Sequence, residues 1–561
     1  MVLNKIVFFL ALTWLLSACA LMGVHINIHN PAHPGKMPKF NAEEIQLGEM
    51  TPYRSCFDVT YYDLAVKISP NEKLLEGTVK IFAIAETDFD TLQIDLHQNF
   101  EILALKNGED GENLKFFRKY RGVFVIHPRK KGEKFTLEVL YKGKPPVAKK
   151  PPWKGGFVWK KDKDHNDWVG VACESEGASI WWPLKDHNSD EPDSMRLHYT
   201  VPESLMAIGN GQFEGKETKN GQTTFNWYIS YPINTYNVTV YVGKFKHLED
   251  HYTGINGKDL QMDHYVLEPN YEKAKNHFQQ LHPLLASYEK YFGEYPWYRD
   301  GFKLVESPYE GMEHQTAIAY GNKYKNSASD GSDYIIVHEA AHEWWGNSIT
   351  ASDFADVWLQ EGFATYAEGL FFEDQKDYNA YENHLGLYRL FIKNKYPVVG
   401  VKDRRWFHFR KSADVYVKGA WILHTLRVQL DNDPLFFEIL KSFYEKFKYT
   451  TVNSADFISV VNEKTGKEYD WFFSQYLNSN EVPEMEFFIS NEGVLFYKWT
   501  HSNPDFNKLN VEIRVNGEIH KITPQTKIQK FIFTKNINGG WTFGVKKNIL
   551  IGIKENKKLL N

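Results

Sequence analysis

At 561 residues the chain is too long for one hydrophobic core, since a domain usually holds roughly 100–200 residues, and two to four domains are expected. Aromatic residues make up 16% of it and the formal net charge is −5, a composition that excludes a disordered chain. Lys and Arg total 66 against 71 Asp and Glu and are interspersed, which leaves no basic stripe for a nucleic acid.

The chain begins with Lys5 and an apolar run from Ile6 to Leu16, shorter than the ~20 residues a bilayer-spanning helix needs. This reads as an export signal over 1–18. The run closes on Leu16-Ser17-Ala18-Cys19, which resembles the lipobox of bacterial lipoproteins and implies a mature chain lipidated on Cys19. The plainer alternative is a signal peptide that happens to contain a Cys. From Val24 to Phe40 the sequence is rich in Pro, His, Asn and Gly without regular period, so 19–40 reads as a lipidated tether. A protein anchored in the cell envelope is expected, with Ala20 rather than Asp after Cys19 compatible with the outer membrane and its periplasmic or surface face left open. Cys56 and Cys173 then remain, enough for one disulfide or none.

Over 41–257 short segments alternate with period two: Val59–Ile68, Gly77–Ile84, Phe135–Tyr141 and Tyr236–Val242. Their β-branched and aromatic residues, punctuated by Gly and Asn, predict a large antiparallel β domain. Past a polar stretch at His251–Gly257 the pattern turns to amphipathic helices such as Tyr271–Phe292 and Phe436–Phe447, so 258–483 is predicted to be mainly helical. Strands return over 484–561, where Leu509–Val515 runs into Asn516-Gly517, a hairpin turn signal. The fold class is α+β multidomain.

Chemistry enters with Tyr334-Ile-Ile-Val-His-Glu-Ala-Ala-His-Glu-Trp-Trp-Gly346, an H-E-x-x-H in a Pro-free run. Histidines at i and i+4 stand one turn apart on one helical face, so His338 and His342 can share a tetrahedral metal with Zn–N near ~2.0–2.1 Å. Glu339 between them is placed to reach water at the metal. A second helix-compatible segment, Asp356–Glu368, brings Glu361 after 18 intervening residues, room for a helix to end and another to pack back. Two His and one Glu with an open fourth position make a catalytic rather than a structural zinc site. Glu339 then serves as base toward water and returns the proton to the leaving amine. Asn347, Thr365 and Glu368 are candidates to orient the rings.

In the motif spacing, in Trp344–Thr350 and Trp358–Ala364, and in the upstream Tyr291-Phe-Gly-Glu-Tyr-Pro296, the chain resembles the aminopeptidase N and leukotriene hydrolase family of gluzincin peptidases. The resemblance implies a thermolysin-like catalytic domain over 258–483, a small β-sandwich over 484–561, one Zn²⁺ per chain, and removal of residues from the free N-terminus of peptides. The family's G-x-M-E-N has its counterpart in Glu310-Gly-Met-Glu-His314, so Glu313 is implied as an anchor for the substrate α-ammonium, and Gly311 and Met312 as an edge for its backbone. A second amine anchor is implied at Glu174, with Glu176 the competitor. The family's Y-x-K-G is matched by Tyr416-Val-Lys-Gly419, which implies Tyr416 as oxyanion donor. Many relatives carry a large C-terminal helical domain; only 78 residues follow Pro483 here, so basic residues from such a domain are not carried over. A thermolysin-type endopeptidase would share the metal chemistry but have no use for Glu313, and a non-catalytic scaffold would need neither Glu339 nor Tyr416. Monomer is the default state.

Overall fold

A computed structural model describes residues 38–405, 412–532, 542–546 and 548–560. The expected export signal, Cys19 and most of the tether lie outside the described residues. The chain divides into two compact units between residues 480 and 481.

In the first unit a seven-stranded sheet runs in the order Gln212–Lys219, Gln222–Ile229, Ser194–Pro202, Phe57–Ser69, Leu74–Ala85, Lys134–Gly143, Phe100–Asn107. Tyr62, Leu64, Val66 and Ile68 fall on one face of their strand and are buried, as period two requires. The sheet is antiparallel except where Phe57–Ser69 meets Ser194–Pro202, a parallel pairing in which Leu64 sits opposite Leu197. A four-stranded sheet orders Met206–Ile208, Tyr241–Gly243, Asp167–Ala172 and Gly156–Lys161, and delivers the chain from Ala172 into Cys173-Glu174. Tyr236–Val242, expected as one strand, is a 3-10 turn at Thr235–Asn237 and only then a strand from Tyr241. The Asn234 side chain accepts the Tyr236 N–H and curls the backbone there. Cys56 and Cys173 are both buried free thiols, so no disulfide joins them.

A five-stranded sheet continues from the hairpin Phe245–Thr253 and Asp259–Leu267 through Leu304–Glu306 and Ile318–Tyr320 to an edge strand, Gly311–Met312. Position 257, taken from sequence as the end of the β domain, falls in the turn of that hairpin. The helical stretch expected at Tyr271–Phe292 is broken into Tyr271–His277, a 3-10 turn at Phe278–Gln280 and helix α1 (Leu281–Phe292). In an unbroken helix the Pro283 ring would press on the carbonyl of Gln279; in the first turn of α1 it is tolerated. Helices α2 (Tyr334–Ala341), α3 (Trp358–Gln375), α4 (Tyr378–Arg389) and α5 (Asp414–Leu430) carry or support the site.

Among its described residues the second unit holds two sheets, one of four strands and one of three. Val511–Val515 turns through Asn516 (φ 51°) and Gly517 (φ 88°) into Glu518–Ile522, the two-residue hairpin that Asn-Gly favours. Among the described residues no helix is long and apolar enough to cross a membrane.

Candidate active site

Helix α2 starts where the Asp333 side chain accepts the Ile335 N–H, and buries Ile335, Ile336 and Val337. It stops at Ala341, earlier than the helix-compatible run to Gly346. His342 as C-cap keeps helical dihedrals (φ −64°, ψ −19°), so it still stands one turn above His338. Helix α3 follows a 3-10 turn at Phe354–Asp356 and places Glu361 in its first turn, where the helix dipole favours a carboxylate.

His338, His342 and Glu361 are all buried and offer ligand atoms within 4.8 Å of one another. His338 Nδ1 lies 2.7 Å from Glu368 Oε1 and His342 Nδ1 lies 2.8 Å from the Trp345 carbonyl. Both partners are acceptors, so each Nδ1 carries the proton and each Nε2 presents a lone pair. The two Nε2 atoms are 3.2 Å apart, and Glu361 Oε2 lies 3.6 and 3.5 Å from them. Two nitrogens bound at ~2.0–2.1 Å with tetrahedral angles would be ~3.3 Å apart. Glu361 Oε2 is buried without a hydrogen-bond donor. The set therefore fits a tetrahedral Zn²⁺ with its fourth position open. Burial pushes Glu361 up, but the facing rings of His338 and His342 overcome that and bring it down to about 2.

Of the candidates to orient the rings, only Glu368 does so. It accepts from His338, and its other oxygen accepts from His384 Nε2 (2.8 Å) and the Tyr388 hydroxyl (2.6 Å), both on α4. Asn347 instead donates to the Glu313 carbonyl (2.8 Å), and among the described residues no hydrogen bond joins Thr365 to either ring. His384 and Tyr388 were not singled out from sequence, although their i, i+4 spacing in a helix puts both on one face.

Glu339 lies against the backbone of Gly311: a Cβ at that position would overlap Glu339 Oε1. This close approach gives Gly311 a reason to be glycine. Burial pushes the Glu339 carboxyl up to about 8, with Glu313 and Glu361 adding to it against the pull of His338 and His342. Ligand atoms of Glu313, Glu339 and His342 also fall within 4.8 Å of one another, so Glu313 borders the metal position. Glu174, just past its strand, is buried with Oε1 unpartnered. Burial, then the charges of Glu313, Glu361 and Glu339, raise it well above the ordinary carboxylate range. Its competitor Glu176 accepts the Ser175 hydroxyl at 2.8 Å, with Arg121 among the groups acting on it. Glu174 thus senses the metal-side carboxylates, whereas Glu176 is engaged by Ser175.

Tyr416 is on α5, its ring stacked near that of His338 with centroids 6.2 Å apart. Burial and then the charge of Glu361 raise its phenol well above 10, so it is a donor at neutral pH. The α3–α5 crossing that brings Glu361 and Tyr416 together is built on two glycines. A Cβ on Gly419 would sit 2.9 Å from the Gly362 Cα, and one on Gly362 3.0 Å from the Gly419 Cα. Gly311 and Met312 pair on one side only, with Tyr320 and Ala319, as the edge of their sheet.

Residues 277–476 match the Peptidase family M1 domain. Relatives by sequence include a leucyl aminopeptidase of Saccharolobus solfataricus, 22% identical over 73% of this chain and 52% of that protein, and the aminopeptidase B of Rattus norvegicus, 21% identical over 76% of this chain and 69% of that protein. The chain thus spans about half the length of the first. An M1 zinc metallopeptidase of Deinococcus radiodurans, solved as a mutant with a Tyr-Ser-Ala substrate, shares the fold with a TM-score of 0.64 at 22% identity, over 76% of this chain and 95% of that one. Matched domain and ligand set agree: residues 277–476 carry a Peptidase family M1 domain, and His338, His342 and Glu361 within it fit Zn²⁺ as cofactor.

Proposed function

We propose that the chain is a zinc-dependent aminopeptidase that hydrolyses the N-terminal peptide bond of peptides. One observation carries the reading: Glu313 borders the metal position, the charge of Glu313 acts on the buried Glu174, and among the described residues neither is ion-paired with Lys or Arg. A buried carboxylate whose pKa a neighbouring carboxylate raises is stabilised by a cation, and an α-ammonium held there measures one residue from chain end to scissile bond. An endopeptidase would leave that pair without a partner.

Zinc held by His338, His342 and Glu361 supplies Lewis-acid activation of water and of the scissile carbonyl. Glu339 takes a proton from the attacking water at its carboxylate and hands it to the leaving amine. Tyr416 donates its hydroxyl hydrogen to the developing oxyanion, a contribution of a few kcal/mol, about 2.7–4 in comparable sites. The free side of Gly311–Met312 pairs with the peptide backbone. These roles are supported by burial, by the lone pairs that face the metal position and by the fit of Glu339 over Gly311.

The test is release of nitroaniline from aminoacyl-nitroanilides against their N-acetylated counterparts, with and without chelator. Cleavage of free amines only, lost with chelator and restored by zinc, supports the reading; equal cleavage of blocked substrates points to an endopeptidase and overturns it. For location, the proposal is a monomer anchored through lipid on Cys19 in the cell envelope, on the strength of the Leu16–Cys19 motif alone. Incorporation of labelled palmitate that persists in Cys19→Ala would refute it.

A further inference from the structure

Tyr236 is buried to 1% exposure, in a 3-10 turn contributed by the β-rich part of the first unit. Its hydroxyl donates to Glu313 Oε1 at 3.2 Å and accepts from Gln360 Nε2 at 3.1 Å. Gln360 precedes the ligand Glu361 and also holds the Ala351 N–H on its Oε1, so it is fixed at both ends. With one hydroxyl hydrogen and a fixed amide as donor, the phenol has only Glu313 to give its hydrogen to.

The same turn touches Glu313 and the neighbour of Glu174. The Cys173 thiol, one residue before Glu174, lies 3.4 Å from the Tyr236 carbonyl. The next residue, Asn237, donates to Asn347 Oδ1 at 2.8 Å, and Asn347 donates to the Glu313 carbonyl at 2.8 Å. Asn210 Nδ2 then ties the Asn237 carbonyl (2.9 Å) to the Gln315 carbonyl (2.7 Å). Three independent links therefore fix the short stretch from Glu313 to Gln315 onto this turn, and only one of them ends on a reactive group.

We infer that Tyr236 is a positioning residue for substrate recognition: its phenol holds the Glu313 carboxylate facing Glu174, so that the two together accept the N–H groups of the substrate α-ammonium. Two buried carboxylates repel, and without a donor on one of them Glu313 would turn away from Glu174 to lower that repulsion. The phenol O–H prevents this without supplying a charge. A lysine there would satisfy the carboxylates and exclude the substrate amine, while a phenylalanine would leave Glu313 free to rotate. Tyr236 acts in this way only if the chain cleaves at free N-termini, as proposed above.

The experiment compares wild type, Tyr236→Phe, Glu313→Gln and the double variant on an aminoacyl-nitroanilide and its N-acetylated form, recording kcat, KM, zinc content and thermal midpoint. A hydrogen bond to a charged group predicts that Tyr236→Phe raises KM for the free amine about tenfold or more, with kcat within about threefold and zinc content unchanged. Because Tyr236 works through Glu313, the double variant should show the KM of Glu313→Gln and no more. If wild type cleaves blocked and free substrates alike, the aminopeptidase reading fails and the positioning role with it. If wild type is selective for free amines but Tyr236→Phe leaves KM unchanged, or lowers only kcat and the thermal midpoint, the positioning role alone is wrong and the phenol is a packing element.

Discussion

Substituting Gly419 by Ala tests whether the α3–α5 crossing sets the geometry of the reaction centre. The added Cβ would lie 2.9 Å from the Gly362 Cα, where ordinary carbon contact begins at ~3.5 Å, so the helices must part by about 0.6 Å. What it meets is backbone, which no rotamer change can clear. Two terms oppose each other: alanine in a helix interior gains about 1 kcal/mol over glycine, while overpacking costs about 1–3 kcal/mol. Stability should therefore change by between zero and about 2 kcal/mol of loss, too little to unfold the chain. Activity is the more sensitive reading, because Glu361 is next to Gly362 and Tyr416 lies one turn from Gly419. A displacement near 1 Å can cost about 10²-fold in rate, so kcat/KM on an aminoacyl-nitroanilide should fall about tenfold or more. Gly386 on α4 is the control: a Cβ there meets nothing within 4 Å, so Gly386→Ala should raise the thermal midpoint and leave activity alone. If Gly419→Ala behaves like Gly386→Ala, the crossing does not position the site.

Further outcomes follow from the groups around the metal and from a buried ring. Glu368→Gln should weaken zinc affinity about 10- to 100-fold, read by competition with a chelating dye, because the amide can offer His338 Nδ1 only a neutral acceptor; unchanged affinity would remove Glu368 from the support of that ring. Zinc removal should lower the thermal midpoint and zinc return should restore it, the gain being about 4 kcal/mol at a zinc concentration a thousandfold above Kd; a midpoint indifferent to chelator would contradict a buried ligand set. Burial holds the His314 ring down to about 3, below its ordinary 6.5, so the unfolded chain takes up a proton first as pH falls. His314 then contributes stability that is whole above pH 6.5 and lost between about 6.5 and 3, at about 1.4 kcal/mol per pH unit. Wild type should lose urea resistance relative to His314→Asn as pH falls from 7.5 to 5, and a constant offset between the two would exclude that proton.

The zinc ligands were legible in the sequence because each step was local. An i, i+4 pair on a helix fixes two ring positions, and one carboxylate in the first turn of the next helix completes the set. Glu368 was legible for the same reason, two helical turns beyond Glu361, whereas the candidate Asn347 sits in a loop that turns it toward the Glu313 carbonyl instead of a ring. Glu174 and Glu176 could not be separated by pattern, since both stand in the same short loop. The difference is that one hydroxyl, Ser175, is available locally and Glu176 takes it.

Tyr236 shows where local reading stops. Tyr-Asn-Val-Thr-Val-Tyr-Val alternates as a strand should, and nothing in the pattern marks its first residues as different. What overrides the alternation is an Asn234 side chain that caps the turn, and a phenol that gains two buried hydrogen-bond partners by leaving the strand path. The same holds for Gly362 and Gly419: each reads as a weak point within its own helix, and only the partner helix supplies the reason. The residues that do chemistry on this chain announce themselves in short motifs. The residues that bring those motifs together, 57 positions apart for the two glycines and 77 for Tyr236 and Glu313, are set by contacts between segments that no window along the sequence contains.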